Sequence, residues 1–397
     1  MSDVLIIGGG FAGVWSAMAA ARLRHRSAAD LTITLVNPGD DLVIRPRLYE
    51  AEPEAMRVPL ERILRPVHVE RVAGVATAID TVDRSVTVTE RDGQIRRRPY
   101  RRLILASGSI LRRPDLPGSE HLHDVDTLAG AVALDSHLGA LPSQSAGSGR
   151  FTAVVVGAGF TGLEVATELA GRLRTLAGPA ARDVRVVLVE QAATIGPQLG
   201  PEILPVIDAA LAELCIEVRL NVALASLDAG RVRLTDGAEI PAHTTIWTTG
   251  MSASPLTRQV PGRRDRLGRL LVDQHLRVPG SPEIFVAGDT AAAVVDGGHV
   301  TLQSCQYAIP LGRYAGHNAV ADLVGQEALE FDPPAYTTCL DLGAAGAVFT
   351  AGFERSVKLT GSPAKHLKRT ITERRIYPPI DDAAAILDAG LPSLGWT

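Results

Sequence analysis

The chain has 397 residues, 46% of them hydrophobic, and a formal net charge of −4. It can bury a core spanning about two or three domains, and it lacks the basic field that a nucleic-acid binder needs. No apolar run approaches the roughly 18 residues of a membrane span; a strand begins within the first residues and leaves no room for a signal peptide; and Cys215, Cys305 and Cys339 offer neither a disulfide framework nor a metal-ligand spacing, so a reducing cytoplasm is expected.

The apolar run VLII reads as a buried parallel strand and Ala12–Arg22 as the helix that follows it. Gly8, Gly10 and Gly13, with Phe11 and Ala12 between them, fill a G-x-G-x-x-G spacing. The first glycine lets the strand turn, the second lets backbone approach a pyrophosphate, and the third lets the helix pack on the strand. The helix amino end then offers free N–H groups to phosphate. LTITLV (31–36) is the next strand and ends at Asn37, where a ribose-binding carboxylate usually stands; an amide can also bond a ribose hydroxyl.

Further on, the DGQ turn at 92–94 marks an antiparallel excursion, and LILASG (103–108) is a short strand ending at Gly108. PSQSAGSGR (142–150) is polar and Gly/Ser-rich and reads as a flexible linker. VVVGAGFTG then repeats the first plan with Gly157, Gly159, Phe160, Thr161 and Gly162, and Glu164 follows on the new helix. The strand VRVVLVE ends at Glu190. A carboxylate there accepts from a ribose 2′-hydroxyl and repels a 2′-phosphate, which favours NADH over NADPH. AEIPAHTTIW is a second antiparallel excursion, and TIWTTG (245–250) ends at Gly250. EIFVAGDTAA (283–292) is a buried strand running into Gly288 and Asp289, a carboxylate placed to hold a polyol hydroxyl. FAD has a ribitol and NAD has none. Two dinucleotide loops in one chain thus point to FAD and NADH together, a hydride acceptor set against a hydride donor.

These stretches resemble the flavoproteins with two dinucleotide-binding domains, and within them the type II NADH dehydrogenases. The resemblance is most specific over 244–291 and in DLVIRPRLYEAEP (41–53). It implies an α/β fold of two Rossmann-like, doubly wound domains in the glutathione-reductase-like arrangement, plus a small C-terminal segment. The FAD domain is expected at 1–125 and 265–330, the NAD(H) domain at 126–264, and the last segment at 331–397. The resemblance places FAD contacts at Gly8, Gly10, Phe11, Ala12, Gly13, Asn37, Arg45, Ala76, Gly108, Gly288, Asp289, Gln306 and Ala308. It places NADH contacts at Gly157, Gly159, Phe160, Thr161, Gly162, Glu164, Glu190 and Gly250. Glu164 and Gln306 are the catalytic candidates, Glu164 as a proton relay or carboxamide anchor; its other reading is a carboxylate stabilising a helix amino end. Glu168 is expected outside the site.

Three departures bear on function. Residues 37–60 contain no cysteine, so the dithiol chemistry of the related disulfide reductases is not expected. In SCQYAIPLG (304–312) Gln306 matches the first of two quinone-site glutamines, but Pro310 stands in place of the second. Proline has no amide to bond a quinone carbonyl. The tail carries seven Lys or Arg against one Glu from Arg355 to Arg375; it reads as a solvated helix packing Leu367 and Ile371, or as a weak contact with an anionic membrane. The expected activity is transfer of hydride from NADH to flavin, with electrons passing to a quinone or other small acceptor. A flavin oxidoreductase acting on an organic substrate and a non-catalytic FAD/NADH-binding protein are the alternatives, and the C-terminal segment either covers the flavin or builds a homodimer contact.

Overall fold

The computed structural model describes residues 2–145 and 147–395. The chain opens with β1 (Ser2–Ile7), α1 (Phe11–Arg26) and β2 (Ile33–Asn37). Val4 to Ile7 are all buried, as befits a parallel strand covered on both faces. β3 (Glu70–Asp80) and β5 (Ile95–Leu105) each serve two sheets. One part of each lies parallel to β2 or β1, and the other pairs antiparallel with β4 (Ser85–Glu90). The predicted strand at 103–108 is therefore the end of a longer one.

α2 (Leu128–Ala140) leads to a second sheet of parallel strands: β6 (Thr152–Val156), β7 (Arg185–Val189), β8 (Ile216–Arg219) and β9 (Thr244–Trp247), in the order β8-β7-β6-β9. α3 (Phe160–Ala177) follows β6. Period-two alternation divides this sheet's side chains. Ala153, Val155, Val186 and Leu188 join the main core, whereas Val154, Val156, Val187 and Val189 pack in a second cluster with Val232 and Ile240. Residues 239–241 pair antiparallel as predicted, but Thr244–Trp247 joins the parallel sheet.

The chain then returns to the first sheet, where β10 (Ser281–Val286) lies parallel to β5. α4 (Cys305–Val324) crosses α1 closely, because Gly312 and Gly316 lie against the backbone of Ala12 and Ser16. Pro310 sits inside α4, so the Gln306 carbonyl lacks its intrahelical donor. β11 (Thr337–Asp341), β12 (Ala347–Ala351) and β13 (Ser356–Thr360) form an antiparallel sheet carrying α5 (Gly361–Thr370). α6 (Ala383–Ala389) packs on α1, and the buried Arg313 guanidinium donates to the Ala389 and Leu394 carbonyls, tying the tail to α4.

Two expectations are corrected. The segment 142–150 is anchored rather than loose: Gln144 holds His243 and Arg150, and Gly149 abuts the backbone of Pro241. Ala146, within this segment, lies outside the described residues. In the basic tail Ile371 packs against the core as expected, half-buried like Leu367, but the buried stripe is Ala364, Lys368 and Thr372. The stripe shifts because Lys368 has a buried partner.

Candidate active site

Both glycine loops follow one construction. Gly8 and Gly157 have φ of 109° and 103°, left-handed values that favour glycine. A Cβ on Gly13 would lie 1.8 Å from the Gly8 carbonyl oxygen, and one on Gly162 would lie 1.7 Å from that of Gly157. Each loop is braced by the residue at the end of the next strand. Asn37 Oδ1 accepts from the Gly9 amide at 2.8 Å, and Glu190 Oε2 accepts from the Ala158 amide at 2.8 Å. Glu190 Oε1 accepts from Ala192 at 2.9 Å. Asn37 thus does for the first loop what the carboxylate does for the second, without a charge.

The structure gathers the predicted flavin-side residues around the first loop. Gly8 lies against Ala106 and Ser107, and Gly288 against Ala12 and Ala308. Asp289 accepts from Ser109 Oγ at 2.5 Å and lies 3.5 Å from Arg45 Nη1. Arg45 also donates to Ser109 Oγ at 2.9 Å and pairs with Asp126. Space over Gly10 and Gly108 is open to at least 4 Å from where a Cβ would stand, and the Ser107 hydroxyl is buried without a partner. Open backbone, an orphaned hydroxyl and a carboxylate with an arginine beside it suit a dinucleotide with a polyol. Ala76 lies on β3 opposite Val88 and just before a bulge.

On the second loop, Thr248 Oγ1 donates to the Val156 and Gly157 carbonyls at 2.9 and 3.2 Å. The Gln198 amide lies 2.9 Å from where a Gly159 Cβ would stand, and Gly250 adjoins the Arg112 carbonyl. Phe160 opens α3 and Thr161 is exposed.

Glu164 reaches a third group, which the sequence did not reveal. It lies one turn into α3, 9% exposed, and its Oε1 accepts from Lys368 Nζ at 2.6 Å and from the Asp341 amide at 3.1 Å. The carboxylate is therefore engaged by the C-terminal segment, not by the amino end of its own helix. Burial raises the Glu164 pKa, against the pull of Lys368 and the Asp341 amide. Burial works against the Lys368 ammonium, yet Glu164 outweighs it and the pKa stands above the ordinary lysine value. The Lys368 rise comes from the Glu164 charge, so the two form one buried ammonium–carboxylate pair. Lys368 also donates to the Cys339 carbonyl and lies 6.0 Å from the centre of the Tyr49 ring. Glu168 is half-buried one turn on, its pKa raised by burial against the charge of Lys365.

Gln306 turns its amide to the C-terminal segment, donating to Ala335 O at 3.3 Å and accepting from the Thr337 amide at 3.4 Å. Burial pushes the Cys305 thiol up to about 11 and Cys339 up to about 12, which removes thiolate chemistry from both at neutral pH. Among the described residues no His, Cys, Asp and Glu group is arranged to hold a metal, and no helix is long and apolar enough to cross a membrane.

Residues 2–312 match the pyridine nucleotide-disulphide oxidoreductase family. The chain is 45% identical over 400 residues to an NADH dehydrogenase-like protein of Mycobacterium tuberculosis, covering 99% of this chain and 98% of that one. It is 31% identical over 322 residues to the type II NADH:quinone oxidoreductase NdhA of the same organism, covering 72% and 65% of the two chains. The structure of NDH2 from Plasmodium falciparum in complex with NADH matches with a TM-score of 0.79 over 98% of this chain and 97% of that one, at 12% identity, a likeness of fold.

Proposed function

The chain belongs to the pyridine nucleotide-disulphide oxidoreductase family, and from that premise we propose that this NADH-dependent flavin oxidoreductase passes its electrons to a quinone or another small acceptor. The observation that carries the reading is the pair of loops, built and braced alike within one chain. FAD, when bound, supplies a ring that accepts the nicotinamide hydride. In the proposal the amides of Gly10, Phe11, Ala12 and Gly13 hold its pyrophosphate, Asn37 its ribose, the Ala76 backbone its adenine, and Asp289 with Arg45 its ribitol; Gly108, Gly288, Gln306 and Ala308 line its remaining length. Gly157, Gly159, Phe160, Thr161 and Gly162 hold NADH, with Gly250 beside them. Glu190 takes the ribose hydroxyl and excludes a 2′-phosphate. Glu164, held as a carboxylate by Lys368, relays a proton towards the reduced acceptor or orients the carboxamide of NADH.

The acceptor side favours a small, water-soluble oxidant over a lipid-borne quinone. The Gln306 amide is engaged by Ala335 and Thr337, and Pro310 has no amide to offer. Such an acceptor fits a cytoplasmic enzyme. The test is a two-step rapid-mixing experiment. Under anaerobic conditions NADH should bleach the flavin band near about 450 nm, a property of the oxidised cofactor itself. Short-chain quinone or dioxygen should then restore it faster than long-chain quinone in vesicles. Failure of NADH to bleach the band would sink the reading. Bleaching with no reoxidation by any quinone or by dioxygen would move the acceptor to an organic substrate.

A further inference from the structure

The turn between β12 and β13 carries Arg355 in left-handed backbone, φ 57°. Arg355 is 6% exposed, and its Nη1 is buried without a hydrogen-bond partner. Among the described residues no carboxylate lies within ion-pair distance of it. Its Cζ stands 5.1 Å from the centre of the Phe160 ring and 5.4 Å from that of Tyr336. Its Cδ is 4.0 Å from where a Gly200 side chain would begin.

Phe160 is the first residue of α3, so this guanidinium stands against the ring of the residue that opens an 18-residue helix. That end already carries the positive pole of the helix, and its first turn holds no acidic residue. A second positive charge there is repelled. Two ring faces and the Tyr336 hydroxyl relieve part of the cost, and among the described residues no carboxylate answers it. A neutral side chain of the same length would suit the ligand-free protein better. The arrangement makes electrostatic sense when an anion lies on the second loop.

We propose that Arg355 is a binding residue for the pyrophosphate of the dinucleotide on the second glycine loop, so that the C-terminal hairpin completes the NADH phosphate site. This rests on the reading of residues 157–162 as the NADH loop. It extends that site to a segment that lies beyond the 2–312 match to the family.

The test uses the FAD-loaded protein and calorimetric titration with NAD⁺, ADP-ribose and adenosine, at two salt concentrations. Arg355→Met keeps the length of the side chain and its contact with the rings. It should weaken NAD⁺ and ADP-ribose on the order of tenfold or more, the range of a charge-assisted hydrogen bond, and flatten the salt dependence. Adenosine affinity and flavin content should not change, and the melting temperature of the unliganded protein should stay level or rise. Arg355→Lys, which keeps the charge, should fall between the two. Equal affinity of wild type and Arg355→Met for ADP-ribose overturns the inference. So does an equal loss for adenosine with a lower melting temperature, which would mark a packing role. If Arg355→Met does not fold, Arg355→Lys and the wild-type salt dependence decide: wild-type binding indifferent to salt, with Arg355→Lys unchanged, overturns it. Wild-type protein that binds neither NAD⁺ nor ADP-ribose would instead remove the NADH-loop reading itself.

Discussion

At position 190 one carboxylate has two tasks, because it both braces the second loop and meets the ribose in the proposed site. An arginine there would remove the brace along with the charge, whereas glutamine keeps an acceptor for the Ala158 amide. Glu190→Gln should therefore narrow the preference for NADH over NADPH by about tenfold in kcat/KM, or about 1.4 kcal/mol, with flavin content unchanged; steady-state rates with both cofactors check it. Lys368 is the other decisive residue. Lys368→Met would leave Glu164 buried without a counter-charge, a change that costs on the order of 3–5 kcal/mol. Adding Glu164→Gln should recover most of that loss, and urea unfolding of the single and double variants measures the coupling. The glycine loops were legible in the sequence because every part of them is local: strand, turn and helix lie within about a dozen residues of one another. The Glu164–Lys368 pair was not, since its members are 204 positions apart and Lys368 stands in a basic run that reads as solvent-facing. Only the spacing of Ala364, Lys368 and Thr372 marked a buried face, and a lysine in the middle of it pointed the other way.

Among the elements, the contact of α1 with α4 fixes the floor of the first loop. A Cβ on Gly316 would come within 2.1 Å of the Ser16 carbonyl oxygen, so backbone has to move to admit one. Gly316→Ala should destabilise the protein by about 1–3 kcal/mol, the usual range for overpacking. Gly139→Ala on α2 should be neutral or stabilising by up to about 1 kcal/mol, because nothing lies within 4 Å of that position. Denaturant midpoints for the two variants give a direct comparison. The strands and helices of both nucleotide units could be read from apolar runs and glycine spacing, although α1 extends a turn beyond the predicted Arg22 to Arg26. Residues 337–370 gave no such signal. Their strands are short and half-exposed, with small and polar residues, and they are held by what they pack against rather than by their own pattern.

For the molecule as a whole, acid is the weak side. His123 is half-buried against His137, ring centres 4.4 Å apart. Burial, with His137 and Arg113 adding to it, lowers its pKa from 6.5 to about 4. Between those values the unfolded chain binds a proton that the folded one refuses, so stability is complete above about pH 6.5 and is lost as pH falls towards 4. His123→Gln should flatten that limb, read as melting temperature against pH, and leave the neutral region in place. The return of β10 to β5 and of Lys368 to Glu164 also sets an order in time. Residues leave the ribosome from first to last, and the second sheet is made before the strand that completes the first. Leu103 gains Ile284 beside it only after β6 to β9 have been synthesised. Glu164 emerges long before its cation and must stay hydrated or protonated until α5 arrives, so α3 reaches its final packing late. A chain whose synthesis stops before α5 would carry both glycine loops and leave its buried acid unanswered.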